Sequence, residues 1–239
     1  MGLDISFFVE VRRNGRWESA DKWTATEEWE IEEGAPSLSV AFEDSFYNAR
    51  DYEMFSILAN ERQSPGLVGK RDGGTLQCVS RPKGFPLDAS SNLKAWIDVF
   101  QTDIRGWNVT SPSWLSLDEL VNFDWEKHVS LHYQMQGEDY LKMLNNESYG
   151  KIRGHWGGAM SEVRARQKLS SKFKTTPEEA AARIRSGRVI APKWVLKRSM
   201  NIIETVTYGD IAYWFKKDVM ERMSQLGEQE NVRCVFYFT

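Results

Sequence analysis

The sequence predicts an α+β fold: a small, mostly antiparallel sheet that includes the N- and C-terminal strands, with several helices packed on it. Two observations carry this expectation. Apolar side chains give both ends of the chain strand character, and between those ends lie several helix starts with capping chemistry. Two strand-like termini are expected to pair in one sheet and make residues 1–239 a single domain, in which 134–200 is a candidate inserted, basic, helical subdomain.

At the start, Ile5, Phe7, Val9 and Val11 alternate with Ser6, Phe8, Glu10 and Arg12. Asn14-Gly15 supplies a hairpin turn, because both residues tolerate positive φ, and Arg16-Trp17-Glu18 opens the return strand. The acidic run Glu27 to Glu33 reads as irregular and exposed. A helix over 49–61 follows, with Tyr52, Phe55, Ile57, Leu58 and Ala59 on its apolar face. Ser64-Pro65-Gly66 ends it, and glycine-rich 65–75 reads as a mobile loop.

Two prolines stiffen Arg81 to Asp88, after which Asp88 or Ser90 caps a helix running through Trp96 to Phe100. Ser116 stands three residues before Glu119, the spacing of a capping box. Residues 134–150 read as helical through Tyr140, Leu141, Met143 and Leu144. Thr176-Pro177-Glu178-Glu179 combines an N-cap, a first-turn proline and acids that suit the helix dipole, and Gly187 ends that helix. A helix over 206–225 turns Ile211, Trp214, Phe215 and Val219 inward. Val232, Val235 and Phe236 then form the closing strand.

Charge is unevenly distributed. Lys151 to Arg198 holds thirteen Lys/Arg against three Glu, a net of +10, in a chain whose total is −3. Residues 1–62 hold six basic and fourteen acidic side chains, a net of −8. A basic surface on an acidic body suits a phosphate-rich ligand, or docking of one part of the protein on another. The two cysteines, Cys78 and Cys234, have no metal-ligand spacing, and no stretch of eighteen apolar residues occurs. A reduced, cytoplasmic setting without membrane insertion is therefore expected.

Several segments carry a resemblance. Met1-Gly2-Leu3-Asp4-Ile5, Arg50 to Ala59, the Arg81 to Asp88 loop, Ser113-Trp114-Leu115 with Glu119-Leu120, and the aromatic strand Val232 to Phe238 together resemble a family of phage and bacterial proteins. The likeness covers about the first half of the chain and its last strand; residues 134–200 lie outside it. It departs from the family near Trp107-Asn108-Val109-Thr110, where a more polar, histidine-bearing stretch is expected. The resemblance implies a phage or prophage setting and no particular activity.

Lys151-Ile152-Arg153-Gly154-His155-Trp156-Gly157-Gly158 is the first candidate site. Its glycines let backbone N–H groups approach an anion, Arg153 offers a planar fork, His155 a donor and Trp156 a stacking face. A helix beginning near Ala159 or Met160 would add its dipole; the alternative is a solvated loop with one buried tryptophan. Arg164 and Lys168, four apart, begin a basic run that continues to Arg188, with Trp194 as a second stacking surface. Arg81 and Lys83 sit in the rigid loop, where they can meet a ligand or hold the loop to the core.

Catalytic motifs are sparse. His128 and His132 share a face in either a helix or a strand, but Val129 stands where a zinc protease carries glutamate. There is no phosphate-binding P-loop and no Gly-x-Ser-x-Gly elbow. The leading expectation is a phage-type counter-defence protein that sequesters a phosphate-bearing small molecule, such as a nucleotide immune signal, without catalysis, cofactor or metal. It is expected to be cytoplasmic and to assemble as a homo-oligomer. The alternatives are a protein–protein inhibitor of a host defence enzyme, a DNA- or RNA-binding protein, and a nuclease or phosphodiesterase using clustered carboxylates such as Asp4, Asp51 and Asp88.

Overall fold

The computed structural model describes residues 3–26, 37–61, 76–102, 109–153 and 158–239, and its fold is α+β. The chain forms two compact units. Met1–Gln63, Leu76–Lys127 and Thr207–Thr239 make the first, and Ser64–Thr75 with His128–Val206 make the second.

The first unit contains β1 (Ile5–Arg13), β2 (Arg16–Ser19), β3 (Trp23–Ala25), β4 (Leu38–Val40), α1 (Tyr52–Ala59), α2 (Ser91–Thr102), β5 (Thr110–Ser116) and α3 (Leu117–Asn122). The second contains β6 (His128–Gln136), α4 (Gly137–Leu144), β7 (Ile152–Arg153), β8 (Met160–Ser161), α5 (Glu162–Phe173), α6 (Pro177–Arg185), α7 (Lys193–Lys197) and most of β9 (Ser199–Thr207). The chain then returns to the first unit through α8 (Tyr208–Ile211), α9 (Glu221–Ser224) and β10 (Val232–Phe238).

The two ends of the chain pair as expected. β1 and β10 lie antiparallel, with Ile5 opposite Phe238 and Val11 opposite Val232, in a sheet of order β2-β1-β10-β5. Asn14 and Gly15 take φ of 50° and 78°, forming the β1–β2 turn. β1 is buried on both faces over Phe7 to Val11. Phe8 packs with Leu93, Ile97, Val235 and Tyr237 on one side, while Phe7 meets Tyr47, Phe215 and Phe236. Phe8 thus occupies a position that alternation alone would leave to a polar residue.

A buried charge pair locks this sheet. Arg233 on β10 donates from Nε to Glu10 Oε2 on β1 at 2.8 Å, and both residues are almost fully buried. Glu10 Oε1 also accepts from the Ser90 N–H at 2.6 Å. Arg233 Nη1 reaches Asp88 Oδ1 at 2.8 Å, and its guanidinium stacks 3.9 Å from the Trp17 ring centroid. These bonds correct the expected cap of α2. Asp88 is committed to Arg233 and Trp17, and the buried Ser90 Oγ has no hydrogen-bond partner among the described residues.

Other boundaries also differ from expectation. α1 starts only at Tyr52, because the Asp51 carboxylate accepts from the N–H groups of Glu53 and Met54. It stops at Asn60, whose φ of 58° closes the helix before Ser64-Pro65-Gly66, which lies outside the described residues. The acidic run Glu27 to Glu33 and the 65–75 loop lie outside them too. α3 opens with the expected capping box: Ser116 Oγ accepts from the Glu119 N–H at 3.1 Å, and Glu119 Oε2 accepts from the Ser116 N–H at 2.9 Å.

The helix expected over 134–150 is confined to α4, because residues up to Gln136 belong to β6. Leu131, Tyr133 and Met135 enter the core at period two, which is strand spacing. In the last helical segment, Ile211, Phe215, Val219 and Met223 recur every fourth residue and are buried. A π-helical turn at Phe215–Met220 accommodates that spacing. Trp214, expected inside, is 74% exposed.

In the second unit the sheet order is β7-β6-β9-β8, with β8 parallel to β9. α4 packs on α6 and α7, and α5 packs on α6. Gly137 permits the approach of α4 to α7: a Cβ there would lie 1.7 Å from the Val195 carbonyl oxygen. Thr176 caps α6 through its side chain, and Gly187 terminates it with φ of 72°.

Candidate functional site

α5 is amphipathic in a way that sorts its charges. Ser161 caps it, and Ala165 and Leu169 are fully buried, which turns Arg164, Lys168 and Lys172 outward at four-residue spacing. α7 buries Val195 and brings the neighbouring Trp194 toward α5, with its ring centroid 5.6 Å from Lys168 Nζ. Arg164, Gln167, Lys168, Ser171, Lys172 and Trp194 together line an open cleft of about 570 Å³. Among the described residues, no acidic side chain lines it.

Several neighbouring cations in this unit are neutralised internally. Arg166 bonds Glu162 at 2.9 Å and Glu178 at 2.5 Å, which raises its already high pKa further. Arg183 pairs with Glu179 at 2.5 Å, Arg185 with Glu147 at 2.6 Å, and Lys151 with Glu204. The Arg185 hydrogen bond holds Glu147 below the usual carboxylate range, and the Arg166 hydrogen bond does the same for Glu178. Arg164, Lys168 and Lys172 have no ion pair among the described residues. Like charges four apart on a helix oppose it by roughly 0.2–0.5 kcal/mol per pair, a cost that an anion in the cleft removes.

The structure therefore brings together Arg164, Lys168 and Trp194, three of the residues singled out in the sequence. Arg153 lies on β7 opposite Tyr133, but its side chain, His155 and Trp156 are outside the described residues. The helix expected from Ala159 or Met160 begins at Glu162, after the short strand β8. Gln167, Ser171 and Lys172 complete the lining; their three- and four-residue spacing from Arg164 and Lys168 was the signal for them.

Arg81 and Lys83 belong to the first unit. Arg81 is exposed. Lys83 Nζ bonds both oxygens of Glu119 at 2.6 and 2.7 Å and lies 4.0 Å from the Trp114 ring centroid, while its backbone N–H donates to Ser113 Oγ. Lys83 thus fastens the proline loop to β5 and α3.

Asp4, Asp51 and Asp88 have separate duties, since Asp4 pairs with Arg50, Asp51 caps α1 and Asp88 holds Arg233. His128 and His132 share one face of β6. Among the described residues, no group of three or more His, Cys, Asp and Glu is placed to hold a metal ion. No described helix is long and apolar enough to cross a membrane.

Asp21 is a buried carboxylate of the first unit. Its Oδ2 accepts from the Val9 N–H at 2.8 Å, while its buried Oδ1 has no hydrogen-bond partner among the described residues. Burial pushes the carboxyl up to about 7. Through its bond from the Val9 N–H this carboxyl fastens the edge of β1.

No protein-family model, curated protein or solved structure matches this chain.

Proposed function

We propose that this protein binds a phosphate-bearing nucleotide ligand through the α5–α7 cleft and holds it without turning it over. The carrying observation is the row Arg164, Lys168 and Lys172, unpaired among the described residues and set beside the indole of Trp194. Cations supply phosphate contacts and the indole supplies a stacking face for a base. Gln167 and Ser171 add neutral hydrogen-bonding groups. The described lining of the cleft contains no carboxylate, imidazole or thiol, the groups that most often carry proton transfer or nucleophilic attack, which favours retention of the ligand over turnover. In the phage and cytoplasmic setting suggested by the sequence, such binding amounts to sequestration of a nucleotide signal, a counter-defence role. A homo-oligomer would help by covering the open side of the cleft.

The test is a thermal-shift screen against linear and cyclic nucleotides at two salt concentrations, followed by recovery of the ligand. A rise in Tm with intact ligand, lost in Lys168→Ala, is the expected result. A cleaved product favours the nuclease or phosphodiesterase alternative. A shift that persists in Lys168→Ala places the site elsewhere.

A second reading has its own observation. Trp214 and Tyr213 are 74% and 48% exposed, with ring centroids 5.2 Å apart, and exposed aromatic pairs of this kind anchor protein interfaces. A protein–protein inhibitor using this pair would keep its activity in Lys168→Ala and lose it in Trp214→Ala.

A further inference from the structure

We infer that the ligand of the α5–α7 cleft is a single-stranded nucleic acid rather than an isolated nucleotide, an inference that rests on the phosphate-binding function proposed above. The cations form a line. Arg164, Lys168 and Lys172 rise along α5 by about 12 Å from first to last, at 1.5 Å per residue. A line of that length suits successive phosphates of a chain better than one phosphate group. Lys168, the middle cation, is the one beside Trp194, so a base stacked on the indole has a phosphate contact within reach on either side along α5.

The shape of the cleft points the same way. It is an open trough lined from α5 and α7. Pockets for small ligands bury most of the ligand surface, whereas this trough is largely open to solvent. An extended strand gains affinity by repeating a one-sided contact, as in other proteins that pair a cationic groove with aromatic platforms. A duplex hides the faces of its bases, so Trp194 would have nothing to stack on.

The test is fluorescence anisotropy of a labelled oligothymidylate of about twelve nucleotides, within the range of known single-strand sites. Thymidine monophosphate, a duplex of equal length and inorganic polyphosphate serve as competitors. The oligonucleotide is expected to bind with a log K against log salt slope of roughly −2 for three phosphate contacts, and Lys168→Ala is expected to reduce that slope by about 0.7. Trp194→Ala is expected to weaken binding roughly five- to hundredfold with the slope unchanged, and Trp194→Phe to restore part of the loss. Unchanged melting temperatures would show that both variants fold.

Equal competition by the monophosphate would overturn the inference while leaving phosphate binding in place. So would equal or tighter duplex binding, or polyphosphate competing equally with no effect of Trp194→Ala. Absence of binding by every probe, mono- or polymeric, would overturn the proposed function as well.

Discussion

Replacing Asp21 with asparagine is predicted to flatten the dependence of stability on pH. Asp21 titrates at about 7 in the folded protein, against an ordinary value of 3.8. Between those values the folded state holds a proton that the unfolded chain has released, so stability falls as pH rises. The contribution is complete below the unfolded value and lost once pH has passed the folded one. From pH 5 to pH 8 the loss is about 3 kcal/mol at 1.36 kcal/mol per pH unit up to the folded pKa. For a chain of this size that corresponds to roughly 6–12 °C in Tm.

The asparagine side chain would keep an acceptor for the Val9 N–H but could not ionise. Its amide nitrogen would take the place of the orphan Oδ1, where no described group accepts a hydrogen bond, at a pH-independent cost of roughly 1–3 kcal/mol. The informative quantity is therefore the slope and not the absolute Tm. Carboxylates held low by partners, such as Asp4 by its hydrogen bond from Arg50, act in the opposite direction at acid pH and are common to both proteins. The assay is calorimetric Tm at half-unit pH intervals from 5 to 8. Wild type should lose stability across that window relative to Asp21→Asn. Parallel curves would refute the burial argument.

Arg233→Met should cost roughly 3–5 kcal/mol, because it leaves Glu10 charged and buried without its partner; urea unfolding measures it, and a change below about 1 kcal/mol would contradict the role assigned to the pair. Gly137→Ala should destabilise by more than the roughly 1–3 kcal/mol of ordinary overpacking, since the new methyl meets the Val195 carbonyl oxygen, a backbone atom with little freedom to retreat. The loss should appear as faster hydrogen exchange in α4 and α7, and exchange unchanged there would count against the packing described.

Much of the fold was legible where a local pattern decided it. The β1–β10 pairing, the Asn14-Gly15 turn, the Ser116–Glu119 box and the Thr176 cap all depend on residues a few positions apart, or on the strand character of both ends. The misses came from tertiary structure. Phe8 sits at a nominally polar position because α2 covers that side of β1, and Trp214 faces solvent because a π-helical turn carries the inward residues at four-residue spacing. At the site, helical spacing was enough to group Arg164 with Lys168. Nothing local showed that Trp194 would meet them, or that Glu178 and Glu147 would neutralise Arg166 and Arg185 and leave the α5 stripe unpaired.

The most direct test of the central claim is isothermal titration of an oligothymidylate of about twelve nucleotides into wild type and into the triple variant Arg164→Gln, Lys168→Gln and Lys172→Gln. The three cations repel one another along α5, so the variant is expected to fold and to melt at the same temperature or slightly higher. It is also expected to lose the salt-dependent binding that wild type shows. A folded triple variant that binds as wild type does would show that the α5–α7 cleft is not the phosphate site.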